Sequence, residues 1–251
     1  MPGMREYEVK RATLSVALAL VAACSSGNPA PAAERDKPGQ ASAADDRHPV
    51  VVELYQSQGC SSCPPANANL NAVAGNKGVL ALSFAVTYWD YLGWKDPFAR
   101  AEYTQRQWDF ANAADRGRVY TPQVIVNGRA TMLGGDKAHF ARLIAAGAPQ
   151  SGPSLEARNG RVVLGAGKAS KPANVWLVRY DPRVRNVAIR AGENGGRTLP
   201  HKNIVTELRK LGSWNGAAAS FAVAPSADAA LKSAVFVQQG TGGPIVSALK
   251  L

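Results

Sequence analysis

The chain has 251 residues, 46% of them hydrophobic, a net charge of +11 and three cysteines. Three cysteines are too few to staple a secreted chain of this length, so stability comes from an apolar core, which a mature chain of well over 200 residues can supply. The charge is uneven, with +1 in residues 1–23, +1 in 24–150 and +9 in 151–251, where 14 Lys and Arg face 5 Asp and Glu.

Arg5, Lys10 and Arg11 precede the apolar run "ATLSVALALVAA" at 12–23. That run is too short to span a bilayer as a helix and has the form of a secretory leader. "VAAC", ending at Cys24, resembles a bacterial lipobox, which implies lipidation of Cys24 and a lipid anchor on the periplasmic side of a membrane. Residues 24–47 are small, polar and proline-containing, the composition of a disordered tether. Export redirects the meaning of the basic C-terminal part. Nucleic acid is not expected as a partner; anionic headgroups, cell-surface polyanions or acidic proteins are the candidates, and a merely solvated charged face is the alternative reading.

"HPVVVELYQ" at 48–56 reads as a buried strand, followed by a turn at Gly59 and a helix from Pro64 through "PANANLNAVA" to Gly75. A second strand, "GVLALSFAV", covers 78–86. After the aromatic block "TYWDYLGWKDPFA" comes a helical pattern ending at Gly117. "YTPQVIVNG" at 120–128 is a third strand with an Asn-Gly turn signal, and a last helix spans 135–147. This order predicts an α/β domain over 48–150, a central sheet flanked by helices. Residues 151–251 carry short alternating runs broken by Gly, Asn and Pro. They predict a basic β-rich, sandwich-like module, with the boundary near Gly152-Pro153.

Cys60 and Cys63 fall where the first strand meets its helix. Three readings are open. At a helix N-terminus, free backbone N–H groups and the macrodipole favour a thiolate, and i,i+3 spacing lets Cys63 resolve a mixed disulfide formed by Cys60, the thiol nearer the exposed end. An inert disulfide is the second reading, although so short a loop gains little chain entropy. A metal site is the third and weakest: there is one CxxC, and His48, His139 and His201 are not in ligand spacing. Cu(I) on the two thiolates belongs to this third reading. The redox dithiol needs no organic cofactor.

"YTPQVIVNG" is similar to the strand after the cis-proline of thioredoxin-like proteins and glutaredoxins. That resemblance implies a cis Thr121-Pro122 bond facing the CxxC and offering backbone groups to an extended substrate. "VVELYQSQGCSSCPPANANL", "FAVTYWDYLGWKDPFA", "VYTPQVIVNGR" and the later "AGENGGRTLPHKNIV" resemble the DUF1223 family of exported bacterial proteins, of the thioredoxin-like superfamily. The resemblance implies a thioredoxin-like fold for 48–150 more than it implies an activity.

Other residues have two readings each. Glu53 lies near where thioredoxins place a buried acid that accepts the resolving thiol's proton; an ordinary strand Glu is the alternative. Tyr88, Trp89, Tyr91 and Trp94 wall a substrate groove or pack the core. Asp90 and Asp96 read as turn or helix caps. The loop "GENGGRTLPHKN", with Arg197, His201 and Lys202, is a hairpin loop, a clamp for an acidic partner, or a segment reaching the dithiol. The expected function is a membrane-tethered thiol–disulfide oxidoreductase acting on client proteins. The rival expectation is a binding or assembly lipoprotein with a structural disulfide, and a copper metallochaperone is a third.

Overall fold

The computed structural model describes residues 44–147 and 151–251. The expected leader, Cys24 and the tether up to residue 43 lie outside the described residues. The last tether residues are held to the fold: the Asp46 carboxylate accepts hydrogen bonds from Lys250 Nζ (2.6 Å) and the Gly78 amide (3.2 Å).

The chain is mixed α/β. Strand β1 (Val50–Gln56) is buried along its whole length, as a continuous apolar run in the middle of a sheet should be. Helix α1 (Cys63–Val73) carries the chain to β2 (Val79–Ala85), which pairs with β1 in parallel from Val50↔Val79 to Gln56↔Ala85. A 3-10 turn (Asp90–Leu92) and α2 (Ala101–Ala113) follow. Next, β3 (Gln123–Val126) lies antiparallel to β1 on its other side. Asn127 and Gly128, both at positive φ (48° and 64°), turn the chain into β4 (Ala130–Met132), and α3 (Lys137–Ala145) closes this part. The expected order of elements across 48–147 is the observed one.

The second half adds β5 (Leu155–Arg158), β6 (Arg161–Leu164), β7 (Ala173–Asp181), β8 (Arg185–Ala188), β9 (Thr198–His201), β10 (Ile204–Trp214), β11 (Ala219–Ala222), β12 (Lys232–Gln239) and β13 (Ile245–Lys250). Four of these strands extend the first sheet, giving the order β13-β12-β7-β10-β2-β1-β3-β4. β10 meets β2 in parallel at Ile204↔Ser83. One sheet thus runs through both sides of residue 150. The physical reason is the edge of β2, a fully buried strand whose outer N–H and C=O groups need partners. A three-stranded sheet, β11-β6-β5, packs on the outer part of the large sheet over Val162, Leu164, Val175, Leu177, Trp214 and Val237, giving the sandwich-like layering. β8 and β9 form a separate hairpin.

Side chains alternate across β1. Val52 and Leu54 join Ala66 and Leu70 of α1 and Phe140 of α3 in one core. Val51 and Tyr55 point the other way, into a core with Tyr103 and Phe110 of α2 and with Val178 and Phe236 of the second half.

Candidate functional site

β1 delivers Cys60 through a tight turn. The Cys60 amide donates to Ser57 O (3.2 Å) and the Gly59 amide to Ser57 Oγ (3.1 Å). The turn packs closely on Trp89: a Cβ at Gly59 would sit 3.2 Å from the Cβ of Trp89. Cys60 and Cys63 are joined as a disulfide with their Cα atoms 5.5 Å apart, and Cys63 is the first residue of α1. Both sulfur residues are buried, Cys60 at 0% exposure and Cys63 at 2%. The expectation that Cys60 is the more exposed of the two therefore fails.

Amide donors around the pair are also fewer than a helix N-terminus usually offers. Pro64 and Pro65 have none, the Cys63 amide turns back to Cys60 O (3.2 Å), and the Ser61 amide goes to Glu193. The Ser62 hydroxyl does reach the sulfur, with Oγ 3.3 Å from Cys60 Sγ.

The second half of the chain packs on this turn. The loop 189–197, which joins β8 to β9, lies on the CxxC turn. Glu193 Oε2 accepts from the Ser61 amide (2.8 Å) and hydroxyl (2.7 Å), and the Glu193 amide donates to Gly59 O (3.2 Å). Asn194 is fully buried, and its Nδ2 donates to Gln58 O (3.0 Å) and Cys60 O (2.8 Å). Arg197 Nη1 holds Asn194 from behind, donating to its Oδ1 (2.7 Å). The Ser61 amide, then its hydroxyl, keep the Glu193 carboxyl below its ordinary pKa, so it is ionised at neutral pH. The segment is a hairpin loop, joining the paired strands β8 and β9, and it also reaches the cysteine turn.

The aromatic block divides. Trp89 Nε1 donates to Thr121 Oγ1 (2.7 Å), linking the CxxC turn to the Thr121-Pro122 bond, which is cis. Tyr88 is half-buried, its hydroxyl donating to Gln107 Oε1 (3.2 Å), and burial pushes its pKa up to about 12. Trp94 Nε1 donates to Gln58 Oε1 (2.7 Å), whereas Tyr91 is 78% exposed. Asp96 caps as expected, accepting from the amides of Gln58 (3.0 Å) and Phe98 (2.9 Å). Burial still raises its pKa, against the pull of those amides. Cys60, Cys63, Trp89, Thr121 and Pro122 thus share one region.

Glu53 does not belong to it. Its neighbours Val52 and Leu54 face α1, so its side chain projects from the opposite side of the sheet. There it is fully buried against Arg106 and takes the Tyr55 hydroxyl proton donor at 2.7 Å. It cannot accept a proton from Cys63.

The polar side chain that does lie along α1 is His201 of β9. Asn67, one turn after Cys63, donates through Nδ2 to Pro200 O (2.8 Å) and faces His201 Nδ1 at 3.2 Å. That contact assigns Nδ1 as the acceptor and puts the ring proton on Nε2. Burial pushes the His201 pKa down to about 4, leaving a neutral ring. Four buried atoms in this neighbourhood, Gln58 Nε2, Asn67 Oδ1, Asn71 Oδ1 and His201 Nε2, have no hydrogen-bond partner in the protein. Among the described residues, no three His, Cys, Asp or Glu side chains converge as metal ligands.

Gln58 and Asn67 carried no functional reading in the sequence, and Glu193 and Asn194 carried one only as unnamed members of the "GENGGRTLPHKN" loop. The signal was there in "NANLN". Asparagine is a poor helix former, yet Asn67, Asn69 and Asn71 sit inside α1, and each side chain donates to a carbonyl of a neighbouring loop or strand: Pro200, Gly134 or Gly135.

Residues 51–238 match the family described as protein of unknown function DUF1223, and the chain belongs to that family. The crystal structure of protein AGR_C_4864 from Agrobacterium tumefaciens is similar with a TM-score of 0.67 and 32% identity, covering 80% of this chain and 93% of that one. HBP35 of Porphyromonas gingivalis is similar in fold alone, with a TM-score of 0.57 and 12% identity, over 82% of this chain and 75% of that one. No curated protein matches the chain.

Proposed function

We propose that this DUF1223 protein is an exported thiol–disulfide oxidoreductase, with Cys60 and Cys63 as its redox pair on a thioredoxin-like domain. The observation that carries the reading is the placement of the disulfide at the β1–α1 junction, with Trp89 bridging from Gly59 to Thr121 beside it. In the oxidising direction, a client thiolate attacks Cys60 Sγ and the S–S bond breaks, leaving its electron pair on Cys63. A second client thiolate then attacks the mixed disulfide and releases Cys60. The client loses two electrons and two protons and gains a disulfide, and the pair ends as two thiols. The reducing direction is the reverse, with Cys60 as nucleophile and Cys63 as resolving thiol. Thr121, Pro122, Tyr88 and Trp89 would border the client segment. No organic cofactor is needed.

In this reading residues 1–23 are a lipoprotein leader, Cys24 carries lipid on the periplasmic side of a membrane, and the tether gives the folded part reach. Residues 48–150 form the redox part. The +9 of residues 151–251 is directed to an anionic surface or acidic protein rather than to nucleic acid.

A second reading has its own support. Both sulfurs are buried and Cys60 lies under the 189–197 loop, which suits a structural brace in a binding or assembly lipoprotein. A redox titration of the fragment from residue 44, with thiol alkylation read by mass spectrometry, separates the two. A reversible couple above about −300 mV supports exchange, and a pair closed to much lower potentials makes it a brace. A Cys63→Ser variant traps mixed disulfides with clients only in the first case.

A further inference from the structure

We propose that loop 189–197 is an autoinhibitory cap on the Cys60–Cys63 disulfide, latched by Glu193, and that exchange proceeds only when the Glu193–Ser61 contact has opened. The proposal deepens the oxidoreductase reading and rests on it for its biological meaning.

The cap is built as a docked segment, not as a wandering hairpin tip. It spends its polar groups on the main chain of residues 58–61: Glu193 takes the Ser61 amide and hydroxyl, the Glu193 amide goes to Gly59 O, and Asn194 takes Gln58 O and Cys60 O. Gly192, at φ +77°, lets the backbone close on Gly59, where a Cβ would come within 3.3 Å of the Gly59 Cα. An incoming thiolate needs contact with Cys60 Sγ, and Cys60, whose carbonyl oxygen holds Asn194 of the loop, has no exposed surface in this closed form.

The same interface is imperfectly satisfied. Gln58, whose carbonyl oxygen holds Asn194 of the cap, has its side-chain Nε2 buried without a partner in the closed form. Such an atom costs free energy that water would recover if opening reaches it. The latch residue, by contrast, is at the surface, where a partner can reach it. A closed state with a strong exposed latch and an under-satisfied interior is suited to release rather than to permanent burial. The Glu193 carboxylate also takes the Ser61 amide, a donor that an open site would return to a Cys60 thiolate.

The test is the rate at which dithiothreitol reduces the folded protein. Its two sulfurs end as a disulfide, and Cys60 and Cys63 end as thiols, counted by alkylation. Glu193→Ala is expected to speed reduction by about tenfold or more, since two hydrogen bonds to a charged group are lost. Glu193→Gln keeps an acceptor for Ser61 and is expected to fall between Glu193→Ala and the parent. Glu156→Ala, another exposed acidic position, should leave the rate where it was. Rates within twofold across Glu193→Ala, Glu193→Gln and parent would overturn the cap. Because Glu193 is exposed, these variants keep the fold, and a thermal melt of each verifies it. Dithiothreitol needs no client site, so an unchanged rate sinks the cap alone. Absence of client trapping by Cys63→Ser sinks the oxidoreductase reading alone.

Discussion

Glu53 and Arg106 form a closed two-point ion pair beneath the sheet, with Arg106 Nε 2.7 Å from Glu53 Oε2 and Nη2 2.8 Å from Oε1. The guanidinium is surrounded by the rings of Phe84, Phe110, Trp176 and Phe236, at 5.0–5.9 Å from their centroids, and its Nη1 donates to Gln238 Oε1. β1, α2 and β12 are joined through this one charge pair. Removing one partner strands the other charge in an apolar setting, so Glu53→Gln is expected to cost roughly 3–5 kcal/mol of unfolding free energy. Glu53→Gln with Arg106→Met is expected to cost less than Glu53→Gln alone. Urea unfolding of the three proteins checks both statements. The redox potential of Cys60–Cys63 should not move in Glu53→Gln, since the carboxylate lies on the other face of the sheet.

His201 sets a second expectation, in acid. Its pKa falls from an ordinary 6.5 to about 4 on folding, because the ring is 1% exposed. Between those values the unfolded chain binds more protons than the folded one, so stability falls as pH drops from about 6.5 to about 4. The full loss is roughly 3 kcal/mol, from about 1.36 kcal/mol per unit. Asp96 acts oppositely, because burial raises its pKa and acid favours its folded form. The signature of His201 is therefore a difference: the stability–pH curve of His201→Gln should be flatter over this range than that of the parent. Parallel curves would mean that His201 is not neutral and buried.

The elements of residues 48–147 were legible because their signals are local. A fully apolar run, a Pro-Pro start and an Asn-Gly turn each act within a few residues. The partner of β2 was not, since Ala81 and Asn203, whose groups meet at 2.8 Å, are 122 positions apart. Alternating runs in residues 151–251 say that strands form, not which edge each one covers. The face of Glu53 was ambiguous for a related reason. Alternation separates Glu53 from Val52 and Leu54, but nothing in the sequence says which set α1 covers. The cap was hidden because a glycine-rich loop reads alike whether it is solvated or docked.

The shared sheet leads to a third expectation. The Ser83 amide donates to Asn203 O (2.9 Å), Asn203 Nδ2 donates to Ala81 O, and Val178, Val205 and Phe236 complete the core around Tyr55 and Phe84. A fragment of residues 44–150 leaves the β2 edge unpaired and that core half-covered. It is expected to show no cooperative thermal transition and to aggregate, whereas residues 44–251 melt in one step. Calorimetry of both is sufficient, and a sharp transition in the fragment would show that the first part folds alone.

Trp89 and Thr121 give the last expectation, which separates packing from client positioning. The indole donates to Thr121 Oγ1 at 2.7 Å while its Cβ lies against Gly59, so one side chain fixes the CxxC turn relative to the Thr121-Pro122 segment. Trp89→Phe keeps an aromatic ring and deletes the donor, costing about 1 kcal/mol of stability. If the two segments together position a client, the same change in a Cys63→Ser background should lower the yield of trapped mixed disulfides severalfold. With both cysteines present, the rate at which dithiothreitol reduces Trp89→Phe should stay close to the parent's, because a small reductant does not need the aligned segments. Loss of stability with full trapping would make Trp89 a packing residue, and the client would then have to be bound elsewhere on the surface.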